Sequence, residues 1–156
     1  MKRLKLYLET SIFGFLVGAR QEPYTEATER LFQEIAVGRV QAFISAEVTR
    51  ELVKAPQPLR VELLRLLRTH PITELESTGE AKELAEKYLE AGIIPKKAEP
   101  DALHIAIAVI NNLDVVVSWN LQHIVKTRTR LGVNGINKLS GYREIDIATP
   151  QEVTAE

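Results

Sequence analysis

Three acidic residues and one amide stand where apolar runs begin or stop, and their placement is the first sign of chemistry in this chain. Glu9 follows directly on the short apolar run 4–8, Asn120 lies just beyond the β-branched run 115–117, and Glu51 sits in a helical segment after a second apolar run. Asp101 and His104 are three apart in the first turn of an apolar helical segment, so they share a face. Carboxylates gathered in a partly buried cleft repel one another, and a hard divalent cation with oxygen ligands relieves that cost. Magnesium or manganese held by Glu9, Asp101 and Asn120, with Glu51 alongside, would orient and deprotonate a water and stabilise charge on a phosphate. Phosphodiester hydrolysis is the reaction such a set supports.

Each of these residues also has an ordinary use. Glu9 and Asp101 near helix starts are favoured by the helix dipole alone, and Glu51 serves equally as a solvated helix residue. Thr10 and Ser11 either orient the metal water or phosphate, or cap a helix. His104 either tunes Asp101 and contacts phosphate or is a hydrogen-bonded packing residue; it is read as supporting the site from behind. His123 has the same choice, with pinning its loop as the alternative. Trp119, the one tryptophan, stacks on a base or packs in the core. Lys126, Arg128 and Arg130 alternate with threonines after Asn120 and would hold a nucleic-acid backbone, unless they form a solvated face. Arg20, Lys96 and Lys97 are further cations whose side of the fold is not legible. Phe13, Phe15, Leu16 and Val17 exceed what a short site loop needs and supply either an interface or core.

The elements that must position these groups alternate between strand and helix. Strands are expected over 4–8, 40–44, 71–75 (an edge, where Pro71 is tolerated), 114–118 and 144–147. Helices are expected over 24–37 ending at Gly38, 46–53 capped by Ser45, 59–68, 78–91 ending at Gly92, and 101–111 opened by Pro100. A short helix is expected over 122–130, followed by a loop with an Asn134-Gly135 turn. Thr149-Pro150-Gln151-Glu152 has the form of a capping box opening a last small helix. Alternating strands and helices imply a parallel sheet covered on both faces, with Glu9 and Asn120 at its carboxyl edge, where open α/β sheets bind ligands.

A chain of 156 residues is the size of one domain, here 1–156, with enough length for a core. With 45% hydrophobic and 26% charged residues it is of globular, not disordered, composition. Lys and Arg total 20 against 21 Asp and Glu, so nucleic acid must be met by a local patch rather than by net charge. Cysteine is absent, which excludes disulfides and thiolate metal sites. The N-terminal residues do not form a signal peptide, and the apolar window 102–118 is interrupted by polar groups, so no membrane segment and a cytoplasmic location are expected.

Four segments, Leu6-Tyr7-Leu8-Glu9-Thr10-Ser11-Ile12, Ser45-Ala46-Glu47-Val48-Thr49-Arg50-Glu51-Leu52, Asp101-Ala102-Leu103-His104-Ile105-Ala106-Ile107-Ala108 and Ser118-Trp119-Asn120-Leu121-Gln122-His123-Ile124, resemble successive motifs of the PIN-domain family, in family order. The Ala148-Thr149-Pro150 ending resembles VapC-like members, the toxins of type II toxin-antitoxin pairs. The resemblance implies a three-layer α/β/α fold with sheet order 3-2-1-4-5, magnesium- or manganese-dependent endoribonuclease activity, homodimers and a small antitoxin partner. It also carries two departures: Glu9 stands where Asp is common, and Asn120 stands where an acid is common, keeping an oxygen but losing a charge. A non-catalytic PIN-type module binding RNA or protein is therefore the alternative. A generic nucleotide-binding protein is disfavoured because no GxGxxG or GxxxxGK[ST] loop follows a strand.

Overall fold

The computed structural model describes residues 2–154; Met1, Ala155 and Glu156, the ends of the stretch expected to form one domain, lie outside the described residues. Five short strands are formed by β1 (Lys5–Leu8), β2 (Gln41–Ser45), β3 (Ile72–Leu75), β4 (Val115–Val117) and β5 (Asp146–Ala148). All neighbours pair in parallel, in the order 3-2-1-4-5, so the order reverses between β1 and β4. Leu6, Tyr7 and Leu8 of β1 and Val115, Val116 and Val117 of β4 are all buried, which is why these strands read as continuous apolar runs rather than alternating ones.

Helices α1 (Tyr24–Ala36), α2 (Ala46–Leu52) and α3 (Leu59–Thr69) fill the crossovers from β1 to β3, and α4 (Gly79–Glu90) and α5 (Glu99–Ile110) fill the crossover from β3 to β4. Because right-handed crossovers running in opposite directions along a sheet lie on opposite faces, the sheet is covered on both sides, giving an α/β/α sandwich. The α4–α5 layer is joined by α6 (Thr127–Leu139), which packs against α4, while the short α7 (Pro150–Val153) packs against α1. Ser45 caps α2 by accepting from Glu47 N, and Thr149 with Glu152 forms the expected capping box. Gly38 and Gly92 take the positive φ that ends α1 and α4, 79° and 72°.

The segment after Asn120 departs from expectation. Residues 121–126 are turns, and the helix is α6, so the expected helix over 122–130 starts five residues late and the expected loop is helical. The Asn134-Gly135 pair lies mid-helix. Asn134 donates to Ile145 O and accepts from Ile145 N (both 2.8 Å), and buried Asn137 accepts from Tyr88 Oη, so tertiary partners satisfy amides that in isolation favour turns. Gly132 faces Ile93 so closely that a Cβ there would stand 2.7 Å from Ile93 Cγ1. Its lack of a side chain sets the approach of α6 to the α4–α5 connection.

Candidate active site

Register brings the first two groups together. Leu8 pairs with Val117, and Glu9 N continues the ladder by donating to Val117 O at 3.0 Å, so the next residues, Glu9 and Ser118, emerge side by side at the switch point. Glu9 is buried, and its Oε1 accepts from Ser118 Oγ and Ser11 Oγ, both at 2.6 Å. The extra methylene of a glutamate is thus taken up by two hydroxyl donors. Ser11 also accepts from Trp119 N at 2.9 Å, which locks the 3-10 helix Thr10–Leu16 after β1 to the loop after β4.

Asp101, in the first turn of α5, lies beside Asn120 and His123. Its Oδ2 is 3.2 Å from Asn120 Nδ2 and 3.2 Å from His123 Nδ1. Asn120 therefore presents its donor to Asp101, while its side-chain oxygen accepts from Gln122 N and His123 N at 3.2 and 3.0 Å and closes the turn that follows. Burial, and next the negative charge of Glu9, push the Asp101 carboxyl above the ordinary aspartate range, against the lowering by His123 and His104. The two carboxylates are near enough to repel.

Glu51 is held differently. Its Oε1 accepts from Thr10 Oγ1 at 2.8 Å and meets His104 Nε2 at 2.6 Å. His104, 1% exposed, is hydrogen-bonded through Nδ1 to Tyr7 Oη at 2.6 Å, and Tyr7 Oη to Ser45 Oγ at 2.7 Å. Burial opposes a charged imidazole, but the bond to Glu51 and the charges of Glu9, Glu51 and Asp101 outweigh it and raise the His104 pKa. Burial likewise opposes ionisation of Glu51, yet His104 and Thr10, with Lys54 farther off, hold its carboxyl below the usual glutamate range. Burial pushes the Tyr7 hydroxyl far upward, so it stays protonated.

The expected acidic residues thus surround one buried histidine. His104 is hydrogen-bonded to Glu51 and acts on Asp101 through charge alone, and Thr10 and Ser11 bond the site carboxylates rather than capping a helix. Three contributors, Tyr7, Ser45 and Ser118, are not expected at the site from sequence, Ser45 being read there only as the cap of α2. Ser118 follows β4 as Glu9 follows β1, which is a usable signal; Tyr7 lies inside an apolar strand and offers none. Trp119 packs on Phe15 and Tyr24 and donates to Thr28 Oγ1 at 2.9 Å. Phe13 is core, whereas Leu16 lines a cavity of about 340 Å³ between α1 and α3 with Phe32, Ala36 and Leu66. Arg130 donates to Ile147 O at 3.0 Å, Arg20 is paired with Glu22 and Glu29, and Lys126 and Arg128 are exposed.

Whether these groups suit a divalent cation turns on their donor chemistry. Among the described residues, no three His, Cys, Asp or Glu side chains lie together as a ready-made metal cluster. The donors that fit a hard cation are Glu9 and Asp101: both are carboxylates, they repel, and neither Glu9 Oε2 nor Asp101 Oδ1 takes part in a hydrogen bond among the described residues.

A parallel α/β/α sheet with Glu9 and Asp101 together at its switch point defines a class of α/β protein with paired carboxylates at the carboxyl edge. Within that class the chain belongs to the PIN domain family, whose model matches residues 6–122. Two solved structures share the fold. VapBC2 from Rickettsia felis, bound to a DNA fragment from its promoter, is 13% identical, with a TM-score of 0.56 over 94% of this chain and 98% of that one. VapC20 of Mycobacterium tuberculosis, a sarcin-ricin loop cleaving toxin, is also 13% identical, with a TM-score of 0.58 over 90% and 98%. No curated protein matches the chain significantly. Among the described residues no helix is long and apolar enough to cross a membrane.

Proposed function

We propose that this chain is a magnesium- or manganese-dependent endoribonuclease that hydrolyses RNA phosphodiester bonds as the toxin of a toxin-antitoxin pair. The observation that carries the reading is the pairing of Glu9 with Asp101, whose carboxyl is pushed up by burial and by the charge of Glu9, each carboxylate keeping one oxygen outside any hydrogen bond among the described residues. A bound cation would supply Lewis acidity toward the phosphate and lower the pKa of a water. Glu9 and Asp101 would hold it. Ser11 and Ser118 orient Glu9, Asn120 and His123 orient Asp101, and Glu51 is held by His104 and Thr10.

The partner class follows from the same reading. The fold shared with VapBC2 supports a small antitoxin as partner; a homodimer and a cytoplasmic setting belong to the same proposal. The cavity lined by Leu16, Phe32, Ala36 and Leu66 offers an apolar seat for an amphipathic antitoxin helix.

A second reading, a PIN-type module that binds RNA or protein without cutting, is favoured by one observation: Asn120 faces Asp101 with its nitrogen and has its oxygen engaged in the turn. One experiment separates the two. Purified protein is incubated with a mixed RNA pool and manganese, magnesium or chelator, with Asp101→Ala as the control for contaminating nuclease. Cleavage that needs both metal and Asp101 is expected; absence of cleavage under any metal would leave the binding module.

A further inference from the structure

A second surface is built from the segments that lead into α5 and α6. Lys126 and Arg128 form one wall of a groove of about 370 Å³, and Ala91, Gly92, Ile93 and Pro95 form the other. Neither cation is in an ion pair or a side-chain hydrogen bond among the described residues, in contrast to Arg20 with its two glutamates and Arg130 with its carbonyl. Lys96 and Lys97, exposed and likewise outside any ion pair there, follow Pro95 directly. In a chain of net charge -1, unpaired cations on one groove are a local positive field.

Both walls are tied to the catalytic end of the sheet. The apolar wall runs through Lys96–Ala98 straight into α5, whose first turn carries Asp101. The cationic wall is the start of α6, where buried Thr129 donates to His123 O at 3.0 Å, and His123 in turn meets Asp101. Gly132 seats α6 against Ile93 and so sets the separation of the walls. Both walls are therefore connected to the Asp101–His123 pair, one through the first turn of α5 and the other through Thr129.

We propose that this groove is a subsite for single-stranded RNA, holding the nucleotides next to the scissile phosphate; the proposal rests on the ribonuclease reading. Cations on one wall match phosphates, and Ile93 and Pro95 on the other match a sugar or an unstacked base. A duplex keeps its bases inside the stack and offers nothing to an apolar wall.

The test uses the full chain in chelator, so that nothing is cut, and a short fluorescein-labelled single-stranded RNA read by anisotropy across a salt series. Lys126→Ala/Arg128→Ala is compared with the parent. The subsite predicts weaker binding and a plot of log affinity against log salt shallower by about 1.4, at about 0.7 for each phosphate released from contact. It also predicts that a duplex of the same sequence binds less well to the parent and loses less in the variant. Unchanged affinity and slope overturn the subsite, and so does an equal loss for the duplex or for polyglutamate, which would mark a general polyanion patch. Cleavage with manganese separates this from the nuclease reading. Cutting by both proteins with the same KM sinks the subsite and leaves the nuclease, whereas lost binding in the variant with no cutting by the parent keeps an RNA groove and sinks the nuclease.

Discussion

Asn120 meets Asp101 through its amide nitrogen, 3.2 Å from Asp101 Oδ2, and so acts on the acidic pair as a donor. Replacing it by aspartate would exchange an attraction for a repulsion while keeping the oxygen that accepts from Gln122 N and His123 N. Asn120→Asp is expected to lower the melting temperature of the metal-free protein and to bind manganese more tightly than the parent. Thermal denaturation and calorimetry with and without manganese check this; a variant as stable as the parent in chelator would show that the Asn120–Asp101 contact contributes nothing.

Asp101 has its folded-state pKa raised, so its ionised form is less favourable in the folded chain than in the unfolded one. Stability is thus lost as pH rises from the ordinary aspartate value of 3.8 through the folded value. Asp101→Asn should abolish metal-dependent cleavage and raise the melting temperature of the metal-free protein at neutral pH. The gain should shrink toward acid pH, where the parent's Asp101 is also neutral. Melting curves in chelator from pH 3 to 8 would refute the account if the variant melted below the parent at neutral pH.

The buried line Ser45–Tyr7–His104–Glu51 should depend on every member. Tyr7→Phe leaves His104 Nδ1 without a partner and is expected to cost about 1–3 kcal/mol in urea unfolding. The raised His104 pKa contributes stability that is full below the ordinary value of 6.5 and fades as pH rises through the folded value. The lowered Glu51 pKa contributes stability that is full above 4.5 and fades as pH falls through the folded value. His104→Gln keeps a donor toward Glu51 but cannot take a proton, so the variant should lose the alkaline-side decline that the parent shows. An identical pH profile in both would remove His104 from the ion pair.

Gly132 abuts Ile93 where a Cβ would stand 2.7 Å from Cγ1. Gly132→Val is expected to destabilise by about 1–3 kcal/mol through overpacking. Ile93→Ala in the same chain should recover part of that loss, because it empties the space the new side chain needs. A double-mutant cycle of unfolding free energies reads the coupling, and strict additivity would mean that α6 moves freely.

Most strands and helices were legible because each apolar run or helical period ends at a residue with a local reason to end it: Ser45, Gly38, Gly92, Pro100, Thr149. Glu9 and Asn120 could be placed at one sheet edge for the same reason, since strand ends are local properties, whereas only the PIN resemblance joined Asp101 to them. The segment after Asn120 was not legible. Gly132, Asn134 and Asn137 favour turns in an isolated chain, and only Ile93, Ile145 and Tyr88, brought in from elsewhere, make a helix the better state. The same holds within the site. Sequence determined which oxygens and ring nitrogens were present, but the packing of β1 beside β4 and α5 against the sheet decided that Glu9 takes the hydroxyls of Ser11 and Ser118, that His104 turns to Glu51, and that Asn120 presents nitrogen rather than oxygen to Asp101. Apart from Glu9 with Ser11, two positions on, those choices depend on distances between residues some 20 to 110 positions apart in the chain, which only the folded chain sets.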